Sequence, residues 1–189
     1  MADIKNVLVF PAGTEIAFEI HAALRDSKFV RLFGGTSVDC HADYVFKNCI
    51  SGFPFVDEPG FVEYINKVTD EYCIDYIYPA HDSALLALTT AQGDLHAKVV
   101  TSDIKTVNIC RSKNKTYTYL KGVDYLPRSF NSAEEIHEFP VFIKPSVGQG
   151  AQGARRIDDM PHLQEALAEG IEYTICEYLP GEEYTVACQ

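Results

Sequence analysis

The residues best suited to chemistry gather at positions 141–153, Val-Phe-Ile-Lys-Pro-Ser-Val-Gly-Gln-Gly-Ala-Gln-Gly. An apolar run delivers Lys144 at its end, Pro145 stops the pairing, and a loop carrying Gly148, Gly150 and Gly153 follows. Glycines lack a Cβ, so backbone N–H groups among them can approach an anion closely. A lysine at a strand end adds a point charge for phosphate. The pattern reads as a triphosphate held between a strand and a mobile lid. It is not the Walker arrangement, because no Gly-Lys-Ser/Thr closes the loop onto a helix. The plain alternative is a hairpin connector, but the loop's length and glycine content favour a binding loop.

The elements that would position these groups follow from hydrophobic patterning. Asn6–Phe10 reads as a buried strand, Pro11–Thr14 as a turn, and Thr14 as the cap of a helix running to about Asp26. Phe29–Phe33 is a second strand ending at Gly34-Gly35, and Tyr44–Phe46 a short third. A helix from Gly60 to about Thr69, a strand at Ile74–Tyr78, a helix from Asp82 to about Ala91 and a strand at Lys98–Val100 complete the first part. Strands alternating with helices at this spacing imply a parallel sheet covered on both faces. Residues 1 to about 105 are therefore expected to form a doubly wound, Rossmann-like α/β domain.

Residues 106–189 read differently, as an incomplete α+β lobe. Ser112 caps a helix carrying Lys113, Thr116, Tyr119 and Leu120; Arg128–Phe130 is a short strand; Ser132 caps a short acidic helix. After the glycine loop come a helix at Met160–Ala168 and a strand at Tyr173–Tyr178. Glu183–Cys188 alternates like a half-buried strand in which the sequence stops. A strand needs partners, so the chain is expected to be the N-terminal part of a larger protein. The uncovered last strand also leaves room for pairing with a second copy, a homo-oligomer.

Bulk properties exclude several classes. The 189 residues carry 27 acids against 16 bases, a net charge of −11, which argues against a non-specific nucleic-acid binder. No apolar stretch nears the roughly 20 residues of a membrane span, and no secretory signal opens the chain. The six cysteines form no Cys-x-x-Cys pair and read as small buried thiols of a reducing cytoplasm.

Four motifs stand in order: Cys110-Arg-Ser-Lys-Asn-Lys-Thr116 opening a helix, Phe142-Ile-Lys-Pro145 before the glycine loop, Ile175-Cys-Glu-Tyr-Leu179 ending a strand, and Gly181-Glu-Glu-Tyr-Thr-Val186 opening the last. Together they resemble the ATP-grasp superfamily, closest to its carbamoyl-phosphate-synthetase-like branch, in which a Rossmann-like pre-ATP-grasp domain precedes the nucleotide clamp. The resemblance spans essentially the whole chain. It implies that Lys113 approaches the α-phosphate and that Lys144 bridges phosphates and the adenine edge. It implies that Gly148 and Gly150, Ala151, Gln152 and Gly153 form the lid over the β- and γ-phosphates. Glu177, Tyr178 and Leu179 match the hinge whose backbone holds adenine, and Glu183 the acid that accepts from ribose hydroxyls. ATP and Mg²⁺ are implied, with small-molecule carboxylate and amine substrates. The loop departs from the commoner Ser-rich form, Ala187 stands where an acid is common, and the family's metal ligands lie downstream of Gln189. The chain by itself is therefore expected to turn nothing over and to bind adenine nucleotides weakly or undetectably.

Two other classes compete. A nicotinamide-dinucleotide oxidoreductase or epimerase would use the first α/β unit, but Phe10-Pro-Ala-Gly-Thr-Glu15 has one glycine where the fingerprint needs three. A non-catalytic module could retain the fold. His81-Asp82 follows a strand and offers a His–Asp acid/base pair; the simpler reading makes Asp82 a helix cap.

Overall fold

The computed structural model describes residues 3–182 and Tyr184. The chain divides into two compact units between Asn108 and Ile109. In the first unit, β1 (Lys5–Phe10), β2 (Val30–Thr36), β3 (Cys49–Ser51), β4 (Tyr76–Pro79) and β5 (Lys98–Val99) form a parallel sheet of order β3-β2-β1-β4-β5. Val7 to Phe10 are all buried, as expected for a central parallel strand covered on both faces. The helices are α1 (Glu15–Leu24), α2 (Ala42–Val45), α3 (Phe61–Tyr72) and α4 (Asp82–Thr90). Thr14 caps α1, its Oγ1 accepting from the Ala17 amide at 3.1 Å. It also donates to the Ala80 carbonyl at 2.8 Å, which ties the β1–α1 turn to the β4–α4 turn.

Alternation along β1 feeds two cores. Leu8 and Phe10 pack with Phe33, Phe61, Ile65 and Leu88, while Val9 packs with Ala12, Ala17 and Phe46. In α3 the buried Phe61, Ile65, Val68 and Thr69 share one face. Each such Leu, Ile, Val or Phe contributes roughly 1.5–3 kcal/mol on burial.

Several expectations for this unit are corrected. β2 does not end at Gly34-Gly35 but runs through them to Thr36. A Cβ at Gly34 would lie 2.7 Å from the Phe46 ring, and one at Gly35 would lie 2.9 Å from the Phe53 ring, so these glycines make space rather than a stop. Tyr44 and Val45 belong to α2, and the third strand lies at Cys49–Ser51. The cap of α4 is His81, whose Nδ1 accepts from the Ser83 amide at 3.2 Å, and not Asp82.

α5 (Ile104–Arg111), unexpected from the sequence, spans the division. In the second unit α6 (Lys113–Tyr119) precedes an antiparallel sheet of order β6-β9-β7-β8, made of β6 (Ser129–Phe130), β7 (Val141–Pro145), β8 (Arg155–Ile157) and β9 (Tyr173–Glu177). Val141, Ile143, Ile157 and Ile175 pack on Leu163 and Ala166 of α7 (Met160–Leu167). Asp159 caps α7 through the His162 amide at 3.0 Å. Ser132 precedes a single 3-10 turn at Ala133–Glu135 without bonding its amides. The expected strand at 183–188 lies outside the described residues apart from Tyr184. Among the described residues no helix is long and apolar enough to cross a membrane.

Candidate functional site

The second unit brings most of the sequence-flagged residues around the end of β7. The register Phe142↔Cys176, Lys144↔Thr174 and Phe142↔Arg156 places Phe142, Lys144, Arg156, Thr174 and Cys176 on one face of the sheet, opposite the face covered by α7. α6 is stitched to the β7 and β9 residues by polar contacts. Ser112 caps the helix and its Oγ lies 2.9 Å from the fully buried Ser146 Oγ. The Lys113 amide donates to the Ser146 carbonyl at 2.8 Å. Asn114 accepts from Thr174 Oγ1 at 2.6 Å and donates to Glu172 Oε1 at 2.7 Å. No residue of α6 itself is fully buried, so these bonds add to the packing of its half-buried residues in holding it.

Both lysines reach this junction. The Lys113 amine donates to the Gly148 carbonyl at 3.2 Å, from helix to glycine loop. The Lys144 amine donates to the Tyr117 hydroxyl at 3.1 Å and lies 4.9 Å from the centre of that ring. The loop joins antiparallel β7 and β8, so it is a hairpin connection in topology. Gly150 (φ 62°), Ala151 (φ 55°) and Gly153 (φ 73°) are left-handed. This conformation suits glycine and strains alanine. The Gln152 amide donates back to the Gln149 carbonyl at 3.3 Å, folding the loop on itself.

The hinge positions differ among themselves. Glu177 bonds to Arg128 through both side chain and backbone. Its Oε1 accepts from the Arg128 amide at 2.8 Å while its own amide donates to the Arg128 carbonyl at 2.9 Å, which fastens the β6 edge. The Arg156 guanidinium stacks 4.9 Å from the Tyr178 ring and is paired with Asp158. Leu179 is exposed, and Glu183 lies outside the described residues. Cys176, 3% exposed, has its thiol pushed up chiefly by burial, against the charge of the nearby Lys144.

Sequence reasoning missed Tyr117, although a residue four positions after Lys113 lies on the same helix face. Two cavities accompany these features. One of about 880 Å³ runs from Tyr117 and Lys121 to Phe130 and Thr174 and takes in neither Lys144 nor the glycine loop. Volume alone therefore does not mark the cations. Another of about 560 Å³ lies at the carboxyl ends of β1 and β2 in the first unit, beside Thr14, Thr36 and His81. No Lys or Arg lines it.

No family model matches the chain, and no curated protein matches it. Solved structures do. An L-amino acid ligase from Bacillus licheniformis superposes with a TM-score of 0.64 at 18% identity, covering 96% of this chain and 46% of that one. N5-carboxyaminoimidazole ribonucleotide synthetase from Thermotoga maritima gives 0.57 at 17% identity, covering 94% and 46%. D-alanine–D-alanine ligase from Bacillus anthracis complexed with ATP gives 0.57 at 15% identity, covering 94% and 60%. The chain thus has an α/β fold shared with ligases and a synthetase, and it spans about half the length of those structures.

Proposed function

We propose that this chain carries the first part of an ATP-dependent ligase of the ATP-grasp type, with the second unit supplying one wall of the nucleotide clamp. In the whole protein, a carboxylate oxygen of a small-molecule substrate attacks the γ-phosphorus and ADP leaves. An amine or related nucleophile then attacks the acyl phosphate and phosphate leaves. Catalysis of this kind rests on positioning and charge neutralisation. The carbamoyl-phosphate-synthetase-like branch is the subtype its motifs favour.

One observation carries the reading: Lys113 and Lys144 converge on one strand–loop junction, Lys113 through Ser146 and Gly148 and Lys144 from the end of β7 itself. Two cations beside a loop rich in left-handed residues suit a polyphosphate. In this reading Gly148 and Gly150–Gly153 cover the β- and γ-phosphates. The backbone at Glu177–Leu179 reads adenine, and Glu183 accepts from the ribose. Magnesium arrives on the triphosphate. Among the described residues no three His, Cys, Asp or Glu side chains group to hold a metal, so no metal step is assigned to this chain.

The test is an NMR-detected titration of the 189-residue chain with MgATP, which reads affinities into the millimolar range. Shifts should centre on residues 113, 144 and 148–153. Lys144→Ala should weaken binding about tenfold or more, the loss of a charged hydrogen bond. An unchanged affinity in that variant would end the nucleotide assignment.

A further inference from the structure

We propose that Tyr117 is a positioning residue for Lys144, holding its ammonium in place for an anion without neutralising it. The inference rests on the nucleotide reading above and names a residue that reading does not include.

The geometry separates two ways of holding a cation in this unit. Arg155 pairs with Glu169, and Arg156 pairs with Asp158 at 2.6 Å, so their charges are met by carboxylates. Among the described residues no carboxylate lies within ion-pair distance of Lys144, and its one side-chain hydrogen bond goes to the Tyr117 hydroxyl at 3.1 Å. The ammonium also lies 4.9 Å from the centre of the Tyr117 ring, within reach of its negative face. A phenol and a π face orient an ammonium while leaving its full charge. Lysine carries three donors on a flexible stem, and among the described residues one is used. The others remain for a ligand at this face.

Tyr117 is itself well placed to hold. It lies one turn beyond Lys113 on α6, and α6 is anchored to the β7 and β9 residues by Ser112–Ser146 and Asn114–Thr174. The two candidate phosphate cations are thereby referred to one short helix: Lys113 stands on it and Lys144 is steadied by it. A cation whose position is fixed before binding loses less rotamer freedom when the anion arrives.

The experiment compares Tyr117→Phe, which keeps the ring and drops the hydroxyl, with Tyr117→Leu, which drops both, in the 189-residue chain. MgATP and adenosine are titrated by NMR, and the side-chain resonances of Lys144 are followed. Affinity for MgATP should fall about threefold in Tyr117→Phe and about tenfold in Tyr117→Leu, with adenosine unaffected. The ring-shifted Lys144 methylene signals should persist in Tyr117→Phe and vanish in Tyr117→Leu. In a Lys144→Ala background, Tyr117→Leu should change MgATP affinity less than about twofold, because the two residues act as a unit. Equal losses for adenosine, or additive losses in the double variant, would assign Tyr117 a merely structural role and overturn the proposal. MgATP binding that Lys144→Ala weakens and Tyr117→Leu leaves intact would sink the role of Tyr117 alone. Absence of MgATP binding in the wild type would sink the nucleotide reading and this proposal with it.

Discussion

Replacing Ser112 by alanine should loosen α6 more than any other single-hydroxyl deletion in the second unit. The substitution removes the cap on the Lys115 amide, 3.3 Å away, and strands the Ser146 hydroxyl, which is fully buried. A lost cap costs about 1 kcal/mol, and an orphaned buried hydroxyl about 1 kcal/mol more, so the total is roughly 2 kcal/mol. Ser146→Ala leaves the cap in place and should cost about 1 kcal/mol. The double variant removes both hydroxyls together and strands neither. It should cost about 1.5 kcal/mol, well short of the sum. Hydrogen exchange at the Lys113 amide reads this directly, since that amide donates to the Ser146 carbonyl at 2.8 Å. A change of 2 kcal/mol corresponds to exchange about 30-fold faster. Exchange altered less than twofold in Ser112→Ala, or strictly additive effects, would refute the account of how α6 is held.

Gly34→Ala should destabilise the first unit by about 1–3 kcal/mol through overpacking, because the new methyl would lie 2.7 Å from the Phe46 ring and 2.9 Å from the Ala12 methyl. A denaturant midpoint equal to wild type would contradict it, and Phe46→Leu in the same chain should recover part of the loss. Asp75 is held below the usual carboxylate range, first by the Asn6 amide at 2.8 Å and, against partial burial, by Lys5 at 3.3 Å. A depressed folded pKa stabilises above the unfolded value of about 3.9 and is lost as pH falls through the folded one. Urea midpoints of the wild type should therefore drop below about pH 4 more steeply than those of Asp75→Asn. Among the described cysteines, the exposed Cys73 and Cys110 should alkylate first at pH 8, and mass spectrometry should find Cys49 and Cys176 slow. Burial, then the neighbouring Asp43, pushes the Cys49 thiol up to about 12. Burial is also the main force raising Cys176.

Much of this was legible from residue order. Val7–Phe10 reads as a core strand because four consecutive apolar residues suit a strand buried on both faces, and Thr14 announces α1 because its hydroxyl satisfies the Ala17 amide. β3 was placed at Tyr44–Phe46 instead of Cys49–Ser51, since a three-residue edge strand is too short to display a period. β8 was missed because Arg155 and Arg156 look like a solvated loop, whereas their charges are met by Glu169 and Asp158. Gly34-Gly35 read as a stop because local sequence does not reveal the Phe46 and Phe53 rings that need the room. At the candidate site Lys113, Lys144 and the loop glycines stood out by type and spacing. Tyr117 did not, since its part depends on a strand 27 residues away.

The hydroxyl and amide seam between α6 and its sheet has a thermodynamic consequence. Opening it would uncover less carbon than opening a core, because the helix contributes half-buried residues and none that is fully buried. Such a transition carries a small heat-capacity increment. Chilling would therefore leave α6 seated under conditions that slacken the oily cores elsewhere in the molecule.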